Sequence, residues 1–145
     1  MMIQEQMILL VEDNDDDAEL AVRAFHRAKV TNPLVRVRDG VEALEFVFHE
    51  GAFGQRSGGQ PKLILLDLKM PRLGGIEVLR RLKADDQTKV IPVVMLTSSA
   101  EERDIVESYQ LGVNSYLVKP VNFAAFTDVI AQTGLYWAVM NRLPS

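Results

Sequence analysis

Residues 63–67 read LILLD, four consecutive apolar side chains closed by a single carboxylate. A short apolar run without alternation is the pattern of a strand buried on both faces, as in a parallel sheet covered by helices. The pattern recurs on either side. Upstream, Met7 to Val11 (MILLV) runs directly into Glu12 and Asp13, and Leu34 to Val37 is a strand whose apolar residues alternate around Arg36. Downstream, Ile91 to Leu96 (IPVVML) ends at Thr97, and Ser115 to Val118 ends at Lys119-Pro120.

Amphipathic stretches separate these runs. Asp15 to Lys29 carries Ala18, Ala21, Val22, Phe25 and Ala28 at helical spacing and is broken by Asn32-Pro33. Asp39-Gly40 turns into a helix bearing Val41, Leu44, Val47 and Phe48, and Pro71 with Gly74-Gly75 leads into another from Ile76 to near Ala84. Ser98 or Ser99 with Glu101 or Glu102 makes a capping-box pattern for a helix ending near Gln110. Asn122 is the expected N-cap of a last helix reaching to near Asn141. The loop of residues 51–61 (GAFGQRSGGQP) is rich in glycine and closed by Pro61. Strands that each lead into a helix predict an α/β fold, a doubly wound five-stranded parallel sheet with five helices. The length, 145 residues, fits one domain spanning 1–145.

Composition narrows the function. Apolar residues make up 48% and charged residues 25%, the balance of a globular protein. The absence of cysteine excludes disulfides and thiolate metal sites. No apolar run approaches the roughly 20 residues of a membrane span, and MMIQEQ lacks the basic start of a secretory signal, so a cytoplasmic protein is expected. With a net charge of −4, nucleic acid is an unexpected partner. The basic clusters, Arg36 with Arg38 and Arg80-Arg81-Lys83, read as solvated edges of a strand and a helix.

In open parallel sheets, ligands bind beyond the carboxyl ends of the strands. Here those ends carry Glu12 and Asp13, then Asp67, Thr97 and Lys119. Clustered carboxylates are unfavourable unless a cation joins them, and oxygen ligands that leave room for water suit Mg²⁺. A carboxylate can also attack phosphorus to form an aspartyl phosphate, a reaction that asks mainly for positioning and charge neutralisation. An ammonium (Lys119) and a hydroxyl (Thr97) could hold phosphoryl oxygens. An Asp-dependent phosphatase would carry a second Asp where Lys69 stands, and a dinucleotide-binding domain would carry glycines where Glu12-Asp13-Asn14-Asp15 stands.

The segments LLVEDN (9–14), LILLDLKMP (63–71), GG (74–75), IPVVMLTSS (91–99) and LGVNSYLVKP (111–120) resemble the receiver domains of two-component response regulators, over essentially the whole chain. The spacings from Asp67 to Thr97 and from Thr97 to Lys119 are usual for that family. The resemblance implies the flavodoxin-like strand order 2-1-3-4-5, with Asp67 as phosphoacceptor. It implies Asp13 as a direct Mg²⁺ ligand, Glu12 acting through water, and the backbone carbonyl of Lys69 as a further ligand. Thr97 and Lys119 would hold the phosphoryl oxygens, Tyr116 would be an aromatic switch, and Lys119-Pro120 would be cis. The side chains of Lys69 and Ser99 would set the phosphate lifetime. The donor would be a phosphohistidine of a sensor histidine kinase or phosphotransfer protein. The lengthened 51–61 loop, the LLVEDN start and the tail with Trp137 resemble the small stand-alone regulators paired with phytochrome-type kinases. A domain that catalyses only its own phosphorylation and dephosphorylation, with output through protein contact, is expected; the alternative is a degenerate receiver acting as a phosphorylation-independent interaction module.

Plainer readings stand beside these. Asp15-Asp16-Asp17 suits the positive end of a helix macrodipole, Tyr116 suits core packing, and His26 and His49 suit the surface. In the last helix Phe123, Phe126, Ile130, Thr133 and Trp137 share the face expected against the sheet, leaving Val129, Tyr136, Val139, Met140 and Leu143 elsewhere. Apolar residues on most sides predict a partner surface, most simply a homodimer through this helix.

Overall fold

The computed structural model describes residues 7–98, 102–119 and 122–133. The strands are β1 (Ile8–Val11), β2 (Leu34–Val37), β3 (Leu63–Asp67), β4 (Val93–Thr97) and β5 (Ser115–Val118). The helices are α1 (Asp15–Arg27), α2 (Gly40–Phe48), α3 (Gly75–Ala84), α4 (Glu102–Gln110) and α5 (Phe123–Thr133). All strand pairs are parallel, in the order β2-β1-β3-β4-β5. The order reverses between β1 and β3, which places the ends of those two strands at the switch point.

Alternation along each strand divides the core in two. Ile8, Leu10, Leu63, Leu65, Val94, Leu96 and Leu117 face α1 and α5, where they meet Phe25 and Phe126. Leu9, Val11, Ile64, Leu66, Val93 and Met95 face the opposite side, against Phe46, Val47, Val78, Leu79 and Leu82 of α2 and α3. The Phe25 and Phe126 rings, 4.5 Å apart, join α1 to α5 beneath the sheet.

Several boundaries differ from expectation, for local reasons. α1 stops at Arg27 because Lys29 adopts a left-handed backbone (φ 62). β4 starts at Val93; Pro92 has no N–H, and its carbonyl instead accepts from Ile64 N at 3.0 Å. The 51–61 loop contains a 3-10 turn at Gly51–Phe53, and Arg56 ties it to α2. The Arg56 guanidinium donates twice to the Phe46 carbonyl, at 2.8 and 3.1 Å, and lies over the Phe46 ring at 3.9 Å. Val129, expected away from the sheet, is buried in the α1–α5 core beside Phe126. Ser99 and Glu101 of the capping box, Pro120, and the tail residues Tyr136, Trp137, Val139, Met140 and Leu143 lie outside the described residues.

Two glycines are required by close approach. A Cβ at Gly75 would collide with the backbone of Asp67 and Leu68, so only glycine lets α3 begin directly behind the end of β3. A Cβ at Gly40 would strike the Leu73 carbonyl, where the start of α2 abuts the β3–α3 loop.

Candidate functional site

Parallel pairing brings the carboxyl ends of β1, β3, β4 and β5 to one edge. Asp67 closes β3 in register with Leu96, and Thr97 closes β4 in register with Val118. Lys119 follows β5, and its N–H donates to the Thr97 carbonyl at 2.7 Å, extending the ladder one residue past the strand. Glu12, Asp67 and Thr97 are all buried.

Glu12, Asp13 and Asp67 each direct a carboxylate oxygen into one space, those oxygens lying within 4.8 Å of one another. The Lys119 ammonium faces them, 2.6 Å from Glu12 Oε1, 3.1 Å from Asp17 Oδ2 and 3.3 Å from Asp67 Oδ2. Glu12 Oε2 accepts from Asn14 N at 3.1 Å, and Asn14 in turn caps α1 by accepting from Asp17 N at 2.8 Å.

One cation does not balance four acids. Burial, reinforced by the Glu12 charge, pushes the Asp67 carboxyl from 3.8 up to about 7, although Lys119 pulls the other way. Burial also works against the Lys119 ammonium, but Glu12, Asp67 and Asp17 outweigh it, and its pKa is raised. Oxygen donors converging in a site short of positive charge fit a hard divalent cation, whose charge would favour the ionised carboxylate.

Some neighbours of the site escaped the sequence reading. Asp17, assigned to the helix macrodipole, is an ion-pair partner of Lys119. Its position in the first turn of α1, close after the end of β1, was the available signal. Arg36 is no solvated edge: its Nε donates to the Glu12 carbonyl at 2.9 Å and its Nη1 to Asp15 at 2.8 Å. It thereby straps the β1–α1 turn to β2. Arg80 and Arg81 do sit at the surface, paired with Glu77. Lys83 turns back to the Lys89 and Ile91 carbonyls. Tyr116 is half-buried against the core on the α2–α3 side, and the Lys69 side chain is exposed. His26 is exposed and His49 half-buried at the left-handed end of α2.

Residues 8–131 match the response regulator receiver domain. The chain belongs to that family. Among relatives of this receiver, the probable methanogenesis regulatory protein FilR2 of Methanothrix harundinacea is 42% identical over 95% of this chain and 87% of its own. The response regulator Rcp1 of Synechocystis is 36% identical over 97% of this chain and 94% of its own. Among solved structures, the bacteriophytochrome response regulator RtBRR superposes with a TM-score of 0.86 at 50% identity, covering 98% of this chain and 85% of that one. The phosphorylated cyanobacterial phytochrome response regulator RcpA gives 0.78 at 39% identity, over 99% of this chain and 100% of that one. The Mn²⁺-bound form of Rcp1 gives 0.77 at 36% identity, over 97% and 99%. The receiver thus has the flavodoxin-like order expected, and it resembles small phytochrome-associated regulators. Among its described residues no helix is long and apolar enough to cross a membrane.

Proposed function

We propose that this receiver is a stand-alone response regulator that accepts a phosphoryl group on Asp67 from the phosphohistidine of a sensor kinase or phosphotransfer protein. The observation that carries the reading is Asp67 itself, buried at the switch point between two other carboxylates and the Lys119 ammonium 3.3 Å away. Asp67 Oδ attacks phosphorus, the P–O bond forms as the P–N bond to the donor imidazole breaks, and the imidazole keeps the electron pair. Lys119 exchanges part of its contact with the carboxylates for a phosphoryl oxygen, and the Thr97 hydroxyl donates to another. Asp13 and Asp67, with the Lys69 carbonyl, would hold Mg²⁺ directly, and Glu12 would act through a bound water. When bound, the ion neutralises charge on the attacking carboxylate and the phosphoryl oxygens.

The added charge then biases a two-state equilibrium in which Tyr116 moves with Thr97. Output passes through protein contact, in the cytoplasm, and a homodimer through the C-terminal helix region is part of this reading. The phytochrome-associated regulators resembled by this chain support a phytochrome-type kinase as partner. Intact mass after incubation with acetyl phosphate tests the chemistry, with and without Mg²⁺ and beside Asp67→Asn. A Mg²⁺-dependent gain of one phosphoryl group, absent in the variant, is expected. A folded protein with no gain in any condition overturns the reading in favour of a phosphorylation-independent interaction module.

A further inference from the structure

The β3–α3 loop follows Asp67 directly and contains Lys69, so its shape bears on the acidic site. It is held in an unusual way. Leu73 N donates to the Pro71 carbonyl at 2.7 Å, closing a three-residue turn with Arg72 at its centre. Arg72 has φ 66, on the side of the Ramachandran map that a branched or long side chain disfavours. A tight turn of this sense is the rarer and more strained one. Such a conformation persists only where surrounding contacts over-determine it.

Those contacts come from the β2–α2 turn. Arg72 Nε donates to Asp39 Oδ2 at 2.8 Å and Nη2 to Asp39 Oδ1 at 3.0 Å, the forked geometry that makes guanidinium–carboxylate pairs directional. Asp39 is buried and is fixed independently, since its Oδ1 accepts from Glu42 N at 2.9 Å as the N-cap of α2. Beside it, Gly40 abuts the Leu73 carbonyl so closely that no Cβ would fit. At its other end the loop is pinned by Leu68 N to the Leu96 carbonyl at 3.0 Å and Gly75 N to the Leu68 carbonyl at 2.8 Å. Between Leu68 and Gly75, Met70 and Leu73 pack partly buried against the core, and Arg72 adds the directional tie to Asp39.

We propose that Arg72 is a positioning residue: its forked pair with Asp39 holds the strained β3–α3 turn in the one shape that sets residues 67–69 for cation binding. The proposal rests on the reading of Asp67 and Lys69 as metal ligands. Neither Arg72 nor Asp39 lies among the three clustered carboxylates, so their influence passes through the loop backbone.

Mn²⁺ affinity of the full chain, read by the spin resonance signal of the free ion, tests this with Arg72→Gly, Asp39→Asn and the double variant. Glycine accepts φ 66 without strain but accepts other backbone shapes as readily, so the loop is freed with no folding penalty, and asparagine keeps the α2 cap while removing the charge; the fold is retained in both. Loss of a supporting contact to a metal site costs ~10–100-fold in affinity. A weakening of about tenfold is expected in each single variant, and the double variant should be no weaker than either, because both remove one interaction. In EDTA, with no cation present, amides of residues 68–75 should exchange faster in both variants while urea midpoints stay near wild type. Wild-type affinity in Arg72→Gly overturns the inference, as does a double variant in which the two effects multiply. A loss of affinity matched by a loss of global stability also overturns it, since that is what a merely structural pair would give. A wild-type chain that binds no Mn²⁺ overturns instead the reading of the acidic site on which the inference stands.

Discussion

Replacing Asp67 by asparagine should alter how the cation-free protein responds to pH. Asp67 is 4% exposed, and burial together with Glu12 raises its carboxyl to about 7 in the folded protein. In the unfolded chain the same group ionises near its ordinary value of about 4. The folded value is the higher one. The stability contributed by the neutral carboxyl is therefore complete below about pH 4, falls as the pH rises, and is gone once the pH passes about 7. A separation of roughly three pH units, at about 1.4 kcal/mol each, sets the whole effect at up to about 4 kcal/mol. The window from about pH 5 to about pH 8 should contain about 3 kcal/mol of it. The amide of D67N stays neutral throughout and should lack this slope. Urea unfolding of both proteins in EDTA across that window is the assay. At a slope of about 2 kcal/mol per molar urea, the wild-type midpoint should fall by roughly 1.5 M relative to the variant. Saturating Mg²⁺ should recover much of that loss in wild type alone, because a cation bound by the ionised site stabilises the folded state. Midpoints that run parallel over the window would show that Lys119 already satisfies an ionised Asp67, and the electrostatic account of the site would be refuted.

Other perturbations bear on separate parts of the molecule. Phe126→Ala removes a fully buried ring packed at a tilt against Phe25 and should cost about 3–5 kcal/mol in urea unfolding, with phosphorylation from acetyl phosphate retained under folded conditions. Gly75→Ala drives a methyl into the backbone at Asp67 and Leu68, and should destabilise by about 1–3 kcal/mol and slow acetyl phosphate labelling together, because the same backbone sets Asp67. Lys119→Met leaves Glu12, Asp17 and Asp67 without their ammonium; the initial labelling rate should fall about a hundredfold, and equal rates would remove Lys119 from the chemistry. Asn14→Ala deletes the cap of α1 and should cost about 1 kcal/mol in thermal or urea unfolding, while acetyl phosphate labelling stays near wild type because the backbone N–H at position 14 still donates to Glu12.

Much of this receiver was legible in one dimension because the information was local. Apolar runs such as LILLD and MILLV can be satisfied only by strands covered on both sides, and the residue that closes each run falls at the same edge of a parallel sheet. Hence Glu12, Asp13, Asp67, Thr97 and Lys119 could be placed together from order alone. Arg36 shows where that logic stops. Alternation suggested a solvated side chain, whereas the guanidinium folds over the strand end to the Glu12 carbonyl and Asp15, a contact that exists only because β2 lies beside β1. Val129 was misplaced for a related reason: a helix apolar on several sides does not state which side meets the sheet, and here Val129 joins Phe126 in the core.

The sequence by itself determined the element order, the edge at which the acids gather and the family of the chain, since each follows from periodicity, strand-end position or motif. Only the tertiary structure decided the charge balance of the site and its supports. The long Lys119 side chain reaches from the end of β5 to Asp17 at the start of α1, and Arg72 reaches Asp39 across two loops far apart in the chain. The physical reason is the same in both cases. Burial and ion pairing depend on distance in space, and parallel crossover connections bring together charged groups whose separation along the chain carries no periodic signal.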